Sequence, residues 1–415
     1  MMAFALTRDA RQLFLTRAVR LFAYGFLSVV LVLYLAEVGL TEPQVGLLLT
    51  LTLIGDTAIS LWLTTTADRF GRRRMLIVGA LLMFGAGALF SQTRDFFLLT
   101  LAATIGVLSP SGNEVGPFLP IEQSALAQLI PAERRTGLFA WYNLTGSFAT
   151  ALGALAAGAL AQTLQNSGWL ILDSYRLIVI IYAAFGLILA VLFSLLSPRI
   201  EASTIPNAHS PNRFSLGLHR SRRVVFKLSA LFALDAFAGG FVVQSLLAYW
   251  FHVRFGVEPA VLGSIFFGAN LLAGISALSA AWVARRIGLI NTMVFTHLPS
   301  NVLLMLVPLM PNLPLAIALL LLRFSISQMD VPTRQSYTLA VVEPDERSAA
   351  AGVTGVARTI GAALAPMLTA PLLANPAWLG LPFLISGGLK IVYDLALYRE
   401  FQAVKPPEEK IKREQ

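Results

Sequence analysis

Arg20-Leu-Phe-Ala-Tyr-Gly-Phe26 returns in the middle of the chain as Asp235-Ala-Phe-Ala-Gly-Gly-Phe241, and Pro120-Ile-Glu-Gln-Ser124 returns as Pro332-Thr-Arg-Gln-Ser336. The turns that follow repeat too: Glu42-Pro43 matches Glu258-Pro259, and Pro131-Ala-Glu-Arg134 matches Pro344-Asp-Glu-Arg347. Copies in the same order mean a duplicated unit. Composition says what kind. Of 415 residues, 56% are hydrophobic and 13% charged, whereas a soluble domain is about a quarter charged. Apolar runs predict spans at 13–36, 44–67, 75–91, 96–130, 137–164 and 175–196, then at 228–253, 260–283, 289–307, 313–342, 349–374 and 378–398. Most match the roughly 20 residues that cross a bilayer. The sequence therefore predicts an all-α membrane protein with twelve transmembrane helices in two pseudo-symmetric six-helix bundles. The halves are 1–196 and 227–400, joined by a polar linker, 197–226, and followed by a tail, 401–415. A parallel duplication of this kind places a substrate between its halves.

The 31 Lys+Arg outnumber the 22 Asp+Glu, but the excess lies in loops and predicts orientation, not a nucleic-acid partner. Arg69, Arg72, Arg73, Arg74, Arg134, Arg135, Arg285, Arg286, Arg347 and the linker arginines fall on one side with both termini; Arg94, Arg176 and Arg254 fall on the other. The positive-inside rule makes the crowded side cytoplasmic, in a plasma (inner) membrane. With no cysteine, thiol chemistry and disulfides are excluded. The N-terminus carries Arg8, Asp9, Arg11, Arg17 and Arg20 ahead of a full-length span, unlike a cleavable signal peptide. No phosphate-binding loop, catalytic triad or metal motif is present, so no enzyme activity, cofactor or metal is expected.

Asp68-Arg69-Phe70-Gly71-Arg72-Arg73-Arg74 follows the second span, and a degenerate copy, Ala284-Arg285-Arg286-Ile287-Gly288, follows the eighth. This resembles the signature loop of the major facilitator superfamily (MFS), and the doubled halves and basic linker extend the resemblance over essentially the whole chain. Physically, Gly71 permits a tight turn, Asp68 ends a helix where it can cap or pair, and the arginines anchor in anionic headgroups. The resemblance further implies that Asp68 helps latch the halves on the cytoplasmic side. Two departures stand out: Thr64 where the family has a small residue, and Arg285 where the second copy would have its acid. Proton-coupled drug exporters of the family carry an arginine motif in the fourth span and a Gly-Pro motif in the fifth; this chain has neither.

A charge at the centre of a span costs about 2.5 to 3.5 kcal/mol, so each asks for a partner or a function. At about 1.5 Å per residue, Arg20, Glu122, Asp235 and Arg334 share one layer, roughly 10 to 14 Å deep. Their signs swap between twin positions, which predicts the pairs Arg20–Glu122 and Asp235–Arg334; pairing across the halves is the rival. Three roles are open to this layer: holding helices together, gating the cytoplasmic side, or touching substrate. Asp56, Arg323 and Arg358 form a second layer near the midplane, with Asp56–Arg358 a candidate bridge between halves.

Ser109-Pro-Ser-Gly-Asn-Glu114-Val-Gly-Pro117 interrupts the fourth span. Broken helices at depth usually line a cavity, so Asn113 and Glu114 are expected to contact substrate or protons; the alternative is that Glu114 satisfies freed amides. Glu114 and Asp56 read as unpaired acids, the groups a proton carrier needs. Lys390 and Asp394, four apart, are expected to neutralise each other, and His297 to be a satisfied core or pathway residue. Ala149, Gly153 and Ala157 have the spacing for close helix packing.

These features predict a secondary active transporter that moves a small solute by alternating access, most simply as a proton-coupled efflux antiporter for a drug-like or organic metabolite. The alternatives are an organic-anion importer or uniporter, with Arg323 and Arg358 supplying positive potential, and a membrane sensor that moves nothing. The expected partners are a small-molecule substrate, protons and the lipid bilayer; a monomer suffices.

Overall fold

The structure, a computed structural model, describes residues 7–129, 132–201, 218–343 and 346–404. Most of the predicted linker, including Pro206, Pro211 and Arg213, and most of the tail lie outside the described residues, as do Pro131 and Pro344.

Every regular element described is helical. The first half contains α1 (Arg8–Val38), α2 (Glu42–Phe70), α3 (Arg72–Gln92), α4 (Phe96–Ile105), α5 (Phe118–Leu129), α6 (Ala132–Asn166) and α7 (Ile171–Ser194). The second contains α8 (Arg222–Gly240), α9 (Gln244–Phe255), α10 (Pro259–Ile287), α11 (Leu289–Leu306), α12 (Leu313–Ser327), α13 (Asp330–Ala340), α14 (Arg347–Leu364), α15 (Pro366–Leu373) and α16 (Leu381–Phe401). Among the described residues, eleven segments are long and apolar enough to cross a membrane. The predicted fourth span is the short pair α4 and α5, separated by irregular backbone that is wider than the Ser109–Pro117 interruption.

Local chemistry sets the ends. The Thr7 hydroxyl accepts the Ala10 amide at the start of α1, and Thr41 with Gln44 forms a capping box at α2. The duplication reaches the turns. Gly39 and Gly256 end α1 and α9 in left-handed conformations (φ +103° and +64°), and Gly71 and Gly288 take φ of +102° and +88° in the two signature loops. Ile287-Gly288 therefore keeps the backbone role of its twin although Arg285 has replaced the acid.

Two compact units result, one of Met1–Thr204 with Val243–Asn270, the other of Ile205–Val242 with Leu271–Gln415. In the first, α1 packs on α6 and α3 on α7; in the second, α8 packs on α14 and α11 on α16. Each α1–α6-type contact is closed by glycines. A Cβ on Gly25 would lie 2.1 Å from the Thr150 carbonyl oxygen, and one on Gly153 2.0 Å from that of Phe22. In the twin contact, a Cβ on Gly240 would lie 2.6 Å from the Ala362 oxygen and one on Gly361 2.3 Å from that of Ala233. Small residues let backbones touch, which supplies the packing that lipid does not. Within the first unit, α6 also meets the start of α10 at Gly158 and Gly263.

The chain before α8 is held by one acid. Glu346 accepts the amides of His219, Arg220 and Ser221. Burial pushes the Glu346 carboxyl up, but the Ser221 hydroxyl and these amides outweigh it and bring it down from 4.5 to about 2.

Gly25→Leu is expected to destabilise the protein by about 1–3 kcal/mol through overpacking, read as a lower Tm in detergent, whereas Gly85→Leu, with nothing within 4 Å, leaves Tm unchanged. For Glu346 the lowered value means that its contribution is complete above pH 4.5 and is lost as pH falls towards 2. The Tm gap between wild type and Glu346→Gln should accordingly be constant from pH 5 to about 8 and close in acid.

Candidate functional site

The break between α4 and α5 leaves peptide groups without helical partners, and each must be paired at membrane depth. Tyrosines take two carbonyls: Tyr182 donates to Val107 at 2.5 Å and Tyr24 to Val115 at 3.2 Å. Ser109 donates to the Asn113 carbonyl, Thr150 to that of Gly112, and the Ser245 amide to that of Pro110. The Gly116 amide, at φ +81°, donates to Asp56 Oδ1 at 2.7 Å. Asp56 is buried, accepts also from Ser60, and makes no ion pair among the described residues. It belongs to the first unit, whereas Arg358 belongs to the second.

The same break carries Glu114 back against α1. Expected to be unpaired, Glu114 is instead held by two arginines, Arg17 at 2.7 Å and Arg20 at 2.8 Å. Arg20 also grips Glu122 with both terminal nitrogens, at 2.8 and 2.7 Å, and both side chains are fully buried. Thr16 and Tyr142 donate to the remaining lone pairs of Glu122. Arg17 completes the set through the Tyr142 carbonyl and Asn143 Oδ1, with its guanidinium 4.4 Å from the Tyr142 ring centre. Two cations and two carboxylates form a closed, neutral cluster. Sequence reasoning missed Arg17 because depth counted along a straight helix says nothing about how a broken neighbour folds back. Asn113 is exposed, and its peptide group rather than its side chain is what the break uses.

In the second unit Asp235 lies 3.1 Å from Arg334, but Lys390 is closer at 2.6 Å. Arg334 bonds Asp330 at 2.9 Å as well. The expected Lys390–Asp394 pair is not what forms. Position four apart on α16 puts both on one face, but Lys390 reaches across to α8, and Asp394 is taken by His297 Nδ1 and Asn301 of α11, each at 2.9 Å. Arg323 is 7% exposed and makes no hydrogen bond or ion pair among the described residues; its guanidinium lies 4.9 Å from the Phe324 ring centre. Arg358 is half-buried.

At the signature loop, Arg72 pairs with the largely exposed Asp68 at 2.8 Å and bonds Gln128 and the Ile200 carbonyl. Arg73 donates to the Leu196 carbonyl, Arg69 lies over the Phe70 ring, and the Glu201 carboxylate caps the amides of Arg72 and Arg73 beside Gly71. Glu201 was not anticipated; an acid at the start of a basic linker was its only signal.

The sequence profile of the Major Facilitator Superfamily matches residues 13–366. The chain belongs to this superfamily. It is an integral multi-pass membrane protein of a transporter family. It is 32% identical over 426 aligned positions, 96% of this chain and 95% of the relative, to the uncharacterized membrane protein YJR124C of Saccharomyces cerevisiae. Over 138 positions, about a third of each chain, it is 25% identical to the quinolone resistance protein NorA of Staphylococcus aureus. Among solved structures, the nucleoside transporter NupG shares the fold with a TM-score of 0.72 at 14% identity, over 95% of this chain and 99% of that one. The xylose transporter XylE from E. coli, inward open, gives 0.70 at 18%, over 94% and 95%.

Removing one member of a buried pair costs about 3–5 kcal/mol, so Glu122→Gln is expected to lower Tm far more than Asp68→Asn at the exposed pair. Exchanging the charges in Arg20→Glu/Glu122→Arg should not restore stability, because Glu114 then faces a second carboxylate. Adding Glu114→Gln should recover much of it. Thermal unfolding of the four variants in detergent checks the order.

Proposed function

We propose that the chain is a secondary active transporter that exports a drug-like or organic metabolite across the plasma membrane in exchange for protons, by alternating access. The observation that carries the proton assignment is the Gly116–Asp56 bond at the break in the fourth span. Asp56 has no cation partner among the described residues, unlike Glu114, which pairs with two arginines. An ionised Asp56 accepts the Gly116 amide. A proton on the other carboxyl oxygen removes the charge and turns this charge-assisted bond into a weaker neutral one, which loosens the hold on the broken backbone. Proton binding is thereby coupled to the shape of the segment between α4 and α5.

Local similarity to NorA supports export as the direction. The closed Arg17–Arg20–Glu114–Glu122 cluster is read as a scaffold that fixes α1 against the break, and the Asp235 cluster as its counterpart. Asp68, Arg72 and Glu201 are read as the cytoplasmic latch, with both termini on that side. No nucleic acid, metal or cofactor enters this scheme, and one chain completes it.

Asp56→Asn keeps an oxygen that can accept from Gly116 but cannot carry the proton cycle. In proteoliposomes of the full chain it is expected to abolish uptake driven by a pH gradient while leaving solute exchange at equal pH within about threefold, a change of under 1 kcal/mol. Flux whose pH dependence is unaltered by Asp56→Asn would remove this carboxyl from the coupling.

A further inference from the structure

The two units handle buried charge differently. In the first, Arg17 and Arg20 are matched by Glu114 and Glu122. In the second, Arg334 and Lys390 are matched by Asp235 and Asp330, while Asp394 is taken by His297 and Asn301. Arg323 and Arg358 are left over. Counting all of these with His297 neutral gives four cations against three carboxylates, and a protonated His297 only adds to the excess. Both arginines feel Asp235 and Asp330 electrostatically, but neither makes an ion pair among the described residues.

Arg323 does not stand alone on its helix. Ser327, one turn on and on the same face of α12, is 3% exposed, and its hydroxyl also has no hydrogen-bond partner among the described residues. Arg323 Nε is sealed from solvent and has no hydrogen-bond partner among the described residues. Native proteins rarely leave such donors unused. The Phe324 ring beside the guanidinium covers part of it and supplies no acceptor for Nε. A guanidinium fork with a hydroxyl one turn away matches the two acceptor oxygens of a carboxylate or phosphate.

We propose that Arg323 and Ser327, with Arg358 contributing positive potential, form a binding subsite for the oxyanion group of the transported solute, which is therefore a small organic carboxylate or phosphate ester. This rests on the transporter reading and names its substrate class; it does not depend on Asp56 or on direction. The missing negative charge of the second unit is supplied by the solute.

The test is binding, without any gradient, to the full chain in phosphatidylcholine nanodiscs, followed by thermal unfolding. The probes are succinate, citrate, glycerol 3-phosphate and inorganic phosphate, set against glycerol, xylose and tetraphenylphosphonium, and against nanodiscs containing phosphatidylglycerol. At least one soluble oxyanion is expected to raise Tm in a saturable way. Arg323→Gln should weaken that response about tenfold or more, Ser327→Ala less, and Arg323→Lys should retain part of it. The unliganded Tm of Arg323→Gln should equal or exceed that of wild type, since an unmatched buried cation is removed; a purely structural arginine predicts a fall. Response to the neutral or cationic probes only, to phosphatidylglycerol only, to none of the probes, or an oxyanion response unchanged in Arg323→Gln each overturns the proposal. Because no flux is measured, a failure of proton coupling leaves this result intact, and the reverse also holds.

Discussion

A charge inside a lipid-facing bundle is costly without a counter-charge, and this constraint organises the Arg20 cluster. Arg20 and Glu122 are both fully buried and locked together by two bonds, and Arg17, Thr16 and Tyr142 use up what remains. The cluster ties α1 to the α4–α5 break and to the helix that follows it, since Glu114 lies in the break and Glu122 in α5. The break is thereby held open as an ordered loop, and its peptide groups are parcelled out to Tyr24, Tyr182, Thr150 and Asp56. Helix packing then follows from glycine, which brings α1 onto α6 and α8 onto α14 in the same way.

Duplication explains both the order and the asymmetry. Twin positions carry opposite charges, so each unit can satisfy its own layer without borrowing from the other. The second unit goes further: Lys390 joins Arg334 on Asp235, and Asp394 is held separately by His297 and Asn301. What it does not do is close the account for Arg323. Its unused Nε donor is the observation on which the proposed oxyanion subsite rests.

The fold was legible because hydrophobic runs, loop charge and a repeat are one-dimensional signals. Gly25 and Gly240 stand at the same place in the repeated motif, and the structure gives both the same job. Twin charges at matched depth also led to Arg20 with Glu122 and Asp235 with Arg334, which lie within bonding distance. Side-chain reach was not legible. Glu114 was expected to lack a partner, yet a fold-back over the break delivers it to Arg17 and Arg20. Lys390 and Asp394 were expected to face each other because they are one turn apart, yet buried partners on α8 and α11 outcompete a contact along one helix. Glu201 and Glu346 cap amides far away in sequence, and no local pattern announces that.

The central claim is that this chain moves a solute and does not merely bind it. Current recorded from proteoliposomes of the full chain on a solid support, during a concentration jump of whichever oxyanion stabilises the protein, addresses it directly with an internal pH dye read in parallel. The account predicts a transient current with a concurrent change of internal pH, both absent from protein-free liposomes. Saturable binding of the same solute with neither current, pH change nor solute accumulation would contradict it and identify a membrane sensor.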